Sequence, residues 1–166
     1  MKRLTFLLIA LLVAASCNSQ VTGLGPPSDP ANETFAPSLG VDIAQMSKSA
    51  AGVYYKDLVV GTDTLEIKTS TDSVKVTYAG HLKDGTLFDS GVGVLLQPFA
   101  LIPGFRDGML GMREGGKRKL VIPSQLGYAG QSIKNVDGTI KIPRQSTLIF
   151  DVDLLKVYNP ATPASP

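Results

Sequence analysis

Between Val74 and Lys83 the chain alternates. Val74, Val76, Tyr78 and Leu82 fall on one side, and Lys75, Thr77, His81 and Lys83 on the other. That period of two predicts a half-buried strand. Asp84-Gly85 follows, a dipeptide suited to a tight hairpin because glycine accepts positive φ. The chain returns with Thr86-Leu87-Phe88-Asp89, so a carboxylate directly follows a large aromatic. The same alternation runs from Thr147 to Val157, with Leu148, Phe150, Val152 and Leu154 inward and Asp151 and Asp153 outward. Gly52–Val60 reads as a first strand and Leu65–Lys68 as a short strand or connector. Lys117–Pro123 reads as another strand, with Arg118, Leu120 and Ile122 on one face. Gly91-Val92-Gly93 reads as a loop. Val94–Leu101, interrupted by Pro98, reads as an edge or bulged segment.

One helix is predicted, opening at Ile102-Pro103-Gly104-Phe105. Phe105, Met109 and Met112 recur on one helical face as core residues, and Gly115-Gly116 closes the segment. Gly108 and Gly111 each weaken the helix by roughly 1 kcal/mol relative to alanine, so it is short and held by packing. Gly127–Gly138 is a long polar loop carrying Tyr128, and the tail from Asn159 frays. About five strands and one short helix make an α+β domain, a helix on one face of an antiparallel sheet.

The first 50 residues follow another pattern. Met1-Lys2-Arg3 is basic, Leu4–Ala15 is apolar, and Ala14-Ala15-Ser16 are small. This is the layout of a secretory signal peptide, and the apolar run is shorter than the ~20 residues of a membrane span. The small residues end at Cys17, the single cysteine. Here the segment resembles bacterial lipoprotein signals, although Ala14 stands where leucine is usual. The resemblance implies a signal over residues 1–16 and a diacylated Cys17 as the new N-terminus. It implies a membrane-anchored protein on the periplasmic side, more in keeping with the outer membrane. Gly25-Pro26-Pro27, Asp29-Pro30 and Ala36-Pro37 break helices, so residues 17–50 read as a disordered tether with a helical turn at Ile43–Met46. The domain then occupies residues 51–158 and a flexible tail 159–166.

Charge narrows the partners. Without Lys2 and Arg3 the chain carries 14 basic and 14 acidic residues, and a neutral chain lacks the footprint that nucleic acid requires. Lys117-Arg118-Lys119 reads as a solvated edge. His81, the only histidine, lies on the Lys75/Lys83 face and reads as a solvated strand residue.

Four motifs occur in order: YAGHLKDGTLFDSG, LIPGF, IPSQLGYAG and IPRQSTLIFDVDLLKV. Together, over about residues 52–158, they closely resemble the FK506-binding family of peptidyl-prolyl cis–trans isomerases. The resemblance implies a strongly curved antiparallel sheet wrapped around one short helix, with the site between them. It implies that Tyr78, Phe88, Phe105 and Phe150 wall an apolar pocket, with Asp89 at its polar edge. Leu101 and Ile102 become the aliphatic pair before the helix, where the Ile102 N–H donates to a ligand carbonyl. The Tyr128 hydroxyl does the same from the loop, and Ile142 completes the wall. The segment between Asp89 and Leu101 is shorter than the family's pattern, so either Phe99 supplies an aromatic or Leu95 sits there instead. Ala129 follows Tyr128 where glycine is usual, and the loop 129–140 departs from the pattern.

Rotation about an X–Pro amide faces a barrier of ~18–20 kcal/mol because it breaks resonance. No bond breaks, so neither nucleophile, metal nor cofactor is implied. The twisted state is less dipolar than the planar one, and an apolar pocket favours it. The implied function is folding assistance to envelope proteins by prolyl isomerisation. The alternative is a tethered, non-catalytic chaperone or binding module on the same fold. Partners implied are proline-containing peptides, unfolded envelope proteins, the membrane and FK506-class macrolides, with the protein a monomer.

Overall fold

The computed structural model describes residues 25–69, 71–97 and 100–158. Its strands are β1 (Ser47–Lys48), β2 (Tyr54–Val59), β3 (Ser73–Leu82), β4 (Leu87–Leu96), β5 (Lys117–Ile122), β6 (Ile133–Lys134), β7 (Ile140–Ile142) and β8 (Leu148–Tyr158). One α-helix, α1 (Pro103–Met109), lies between β4 and β5. The main sheet is antiparallel throughout, in the order β1-β2-β5-β8-β3-β4, and β6 and β7 form a separate hairpin.

The alternating stretches became the central strands. In β3 and β8, Val74, Val76, Val152 and Leu154 are almost fully buried on the inner face. α1 lies across that face with Phe105 and Met109 inward, and Met112 stays buried past the helix end. Glycine explains how so short a helix packs so closely. A Cβ on Gly104 would stand 2.2 Å from Ile122 Cγ2, and one on Gly108 would stand 2.8 Å from Leu120 Cδ2. The expected α+β architecture, an antiparallel sheet with one short helix, is the one observed.

Several boundaries differ from expectation. β4 runs unbroken through Gly91-Val92-Gly93, because bulges in its pairing with β3 absorb the irregular residues. The loop 127–138 contains a β-strand, since Ile133 pairs with Ile142 across a turn at Gly138. Of Lys117-Arg118-Lys119, expected as a solvated edge, only Lys117 is exposed. β5 sits between β2 and β8, and Arg118 and Lys119 are only 6% and 8% exposed. Burial is tolerated because each cation has a carboxylate, Asp57 for Arg118 and Asp151 for Lys119. Arg118 also donates to the carbonyls of Gly108 and Leu110 at the end of α1, and it stacks on Tyr55.

The largest difference concerns the segment before the domain. Residues 25–50, expected as part of a disordered tether, pack on the domain, and those from Phe35 to Met46 lie against the outer face of the sheet. Leu39 is buried with Val121 and Ile149, and Phe35, Val41, Ile43 and Met46 pack around them. Prolines start two of its 3-10 turns, at Pro30 and Pro37. Asp29 and Asp42 accept from the N–H groups of Ala31 and Ala44 as caps. The segment ends in β1, which adds a strand to the sheet. We call residues 25–46 the strap. His81, on the same face beside Ile149, is accordingly half-buried. Cys17, the signal and the tail lie outside the described residues.

Candidate active site

Between the inner face of the sheet and the start of α1 is a cavity of about 280 Å³. β3 contributes Tyr78, β4 contributes Phe88, Asp89 and Leu96, and β8 contributes Phe150. Ala100, Leu101 and Ile102 close it before the helix, Phe105 from the helix, and Tyr128 from the loop after β5. A larger hollow of about 500 Å³ lies between the strap and the β1–β2 turn, but Tyr54 is its one aromatic. The smaller cavity carries the ring cluster and is the better site.

Phe150 is the centre of that cluster. Its ring lies 4.9 Å from Phe105, 5.5 Å from Phe88 and 6.3 Å from Tyr78, and Tyr78 meets Phe105 edge-on at 6.0 Å. Three of the four pairs are edge-to-face, and each of those is worth about 0.5–1.5 kcal/mol beyond burial, so the wall is stiff. Gly80 on β3 makes the room. A Cβ there would stand 2.6 Å from Phe150 Cε1 and 2.8 Å from Phe88 Cζ.

The polar groups sit at the rim. The Tyr78 hydroxyl donates to Asp89 Oδ2 at 2.9 Å, and Asp89 is exposed to solvent. Burial pushes the Tyr78 phenol up to about 12, and the hydrogen bond and charge of Asp89 add to the effect. Burial and then the Asp89 charge raise Tyr128 as well. Both phenols therefore stay protonated at neutral pH and serve as donors. The Tyr128 hydroxyl and the Ile102 N–H make no hydrogen bond among the described residues. Two donors of the cavity lining thus have no acceptor among the described residues. Among the described residues no group of three or more His, Cys, Asp or Glu side chains is placed to hold a metal ion.

Eight of the residues expected at the site meet here: Tyr78, Phe88, Asp89, Leu101, Ile102, Phe105, Tyr128 and Phe150. Ile142 does not line the cavity. Its pairing with Ile133 turns it into the core, where it is 2% exposed. Phe99 lies outside the described residues. Leu95 is 56% exposed, and its neighbour Leu96 faces the cavity instead. Leu96 and Ala100 are the lining residues that the sequence reading missed. The clue for Leu96 was its parity with Val94, which packs on the same core.

A family model, FKBP-type peptidyl-prolyl cis-trans isomerase, matches residues 66–155. An FK506-binding protein of Neisseria meningitidis serogroup B is 40% identical over 113 residues, spanning 64% of this chain and 97% of that protein. The FKBP-type isomerase FkpA of Buchnera aphidicola is 37% identical over 118 residues, 69% of this chain and 44% of its own length. Among solved structures, FkpA from Escherichia coli superposes with a TM-score of 0.58 at 36% identity, covering 68% of this chain and 51% of that one. A Pseudomonas syringae isomerase gives a TM-score of 0.62 at 26% identity, covering 69% and 81%. The matched segment runs from just before β3 to within β8 and so contains the whole aromatic cavity, which makes this chain a member of the FKBP-type peptidyl-prolyl cis–trans isomerases.

Proposed function

We propose that the cavity bounded by Tyr78, Phe88, Phe105 and Phe150 is where the X–Pro amide twists. The observation that carries the reading is the pairing of an aromatic hollow with two donors that have no acceptor among the described residues, the Ile102 N–H and the Tyr128 hydroxyl. The proline ring lies against the aromatic wall, where water is excluded and the less dipolar twisted amide gains relative to the planar one. The two donors hold the flanking carbonyls, so that rotation is confined to one bond. Asp89 moves no proton. It accepts from Tyr78 and fixes that ring at the rim. FK506-class macrolides fit the same hollow through the same donors. The test is exchange of an X–Pro peptide followed by NMR, with Phe88→Ala and Tyr128→Phe. Activity that survives Phe88→Ala would remove the reaction from this cavity, and binding without exchange would favour a chaperone module. A macrolide that blocks exchange supports the assignment separately.

The same reading extends to place. Residues 1–17 carry the features of a lipoprotein signal, so the domain is proposed to work on envelope proteins at the periplasmic side of a membrane. The strap changes the reach of such an anchor. With residues 25–46 packed on the domain, only eight residue steps separate Cys17 from Gly25, at most about 29 Å when fully extended. Cys17→Ser should release the protein from membranes or leave it unprocessed. A processed Cys17→Ser protein that still sediments with membranes rules out the lipid anchor.

A further inference from the structure

Tyr128 stands beside a pair of residues in an uncommon conformation. Ala129 has φ of 49° and Gln145 φ of 59°, the non-glycine residues with positive φ among those described. A side chain at such an angle crowds its own backbone and persists only where the surroundings hold it. The two residues hold each other: the Gln145 N–H donates to the Ala129 carbonyl at 2.7 Å. The Ala129 N–H donates to the Ser124 carbonyl, also at 2.7 Å. Ser124 is fully buried, and its hydroxyl donates to Gln145 Oε1 at 2.9 Å.

The strap completes this arrangement from a distance of almost a hundred residues. The Ser28 N–H donates to Ser124 Oγ at 2.9 Å, and the Ser124 N–H donates to Ser28 Oγ at 2.7 Å. Gln145 Nε2 donates to the Gly25 carbonyl at 3.2 Å. The Tyr128 hydroxyl, by contrast, has no hydrogen bond among the described residues that would fix its aim. The Tyr128 ring packs on the core, and its aim is otherwise set by the backbone on which it stands, which is held at Ser124 and Ala129.

We propose that Ser28, Ser124 and Gln145 are positioning residues for Tyr128, and that the start of the strap is in this way part of the isomerase. The proposal rests on the reading that the Tyr128 hydroxyl holds a substrate carbonyl. Loss of the Ser28 hydroxyl strands the buried Ser124 N–H. The Ser124 backbone, whose carbonyl accepts from the Ala129 N–H, then shifts, and Ala129 follows it toward negative φ, which turns the 128–129 peptide and swings the phenol away from the cavity.

The test uses the full chain and a proline-containing peptide, with KM and kcat separated by NMR exchange measurements. Ser28→Ala is the first variant. Gln145→Gly is the second, since glycine suits the backbone angle and should fold while both side-chain bonds are lost. Each is expected to raise KM roughly three- to tenfold with kcat within about twofold, because a hydrogen bond to the carbonyl binds planar and twisted states alike. In a Tyr128→Phe background neither variant should raise KM further. A merely structural role would lower Tm and leave the KM of the folded protein in place. An unchanged KM in both variants, with a raised KM in Tyr128→Phe, overturns this inference and leaves the reading of Tyr128 intact. A KM rise that persists undiminished in the Tyr128→Phe background also overturns it. An unchanged KM in Tyr128→Phe overturns the reading of Tyr128 and the inference with it.

Discussion

Gly80→Ala adds one methyl group behind the ring cluster and removes nothing. In an ordinary strand, alanine is favoured over glycine by roughly 0.5–1 kcal/mol. At this position the new Cβ would stand 2.6 Å from Phe150 Cε1, and 2.8 and 3.0 Å from Phe88 Cζ and Cε2. Ordinary contact begins at 3.4 Å, so the rings must retreat by roughly 0.4–0.8 Å. Neither ring is a loose end. Phe88 and Phe150 are 8% and 6% exposed, and Phe150 leans on Phe105. Overpacking of such a site costs about 1–3 kcal/mol, which exceeds the propensity gain. The net loss is about 0.5–2 kcal/mol, and Tm should fall by roughly 2–8 °C. The open direction for both rings is the cavity they line. Displacing a reacting surface by about 1 Å costs up to a hundredfold in rate. We therefore expect kcat/KM to fall by roughly 10- to 50-fold at temperatures where the variant is fully folded. Peptide exchange by NMR and a thermal melt by circular dichroism measure the two effects. A kcat/KM within twofold of the parent, in a variant whose Tm has dropped, would refute the placement of this ring pair at the reacting surface. A higher Tm would refute the packing argument itself.

Three further outcomes follow from other parts of the molecule. Leu39→Ala should destabilise the domain by about 2–3 kcal/mol, since Leu39 is 6% exposed against Val121 and Ile149; an unchanged melt would mean that the strap does not pack. Arg118→Lys keeps the charge but loses the fork that binds Asp57 at 2.6 and 3.1 Å and spans two helix carbonyls, so a loss of about 1–3 kcal/mol is expected in urea denaturation. Tyr78, raised from an ordinary 10.0 to about 12, holds its proton when folded after the unfolded chain has released it. Its contribution to stability is therefore complete below pH 10 and is lost as pH climbs toward 12. Urea midpoints measured across that window should fall less steeply in Tyr78→Phe than in the parent.

The site was legible in the sequence as far as side-chain type and strand parity can carry. Tyr78 and Phe150 lie on alternating strands, and parity alone puts both on the inner face. It cannot say that they share a cavity, because period two describes a buried core residue and a pocket wall alike. The family motifs separated the two. They left a choice open where the chain's own register decides. The bulges between β3 and β4 fix which of Leu95 and Leu96 turns inward, and no residue type announces a bulge at that point. Ile142 failed for a similar reason. The resemblance put it at the wall, while pairing with Ile133 sent the side chain to the core. Gly80 was equally opaque: its importance lies in two rings supplied by other strands.

The strap shows why composition misjudged residues 25–50. Prolines and isolated apolar residues describe a segment that cannot build a core of its own, and such segments are read as disordered. That inference assumes that no other surface lacks a cover. Here the outer face of β5 and β8 carries Val121 and Ile149, both fully buried. Nothing in the local pattern says whether a sheet's second face is covered by the same chain. The scattered residues Phe35, Leu39, Val41, Ile43 and Met46 meet that need without forming a regular element. The prolines then help rather than hinder. Pro30 and Pro37 open short 3-10 turns, and a proline with fixed φ loses less freedom on docking than another residue would. Lys119 gives the same warning from the opposite side: a lysine on an outer face reads as solvated, yet it is 8% exposed and paired with Asp151. A basic residue alternating with Val121 on a face that later proves covered is compatible with a strap, and so a charge pattern alone did not exclude one.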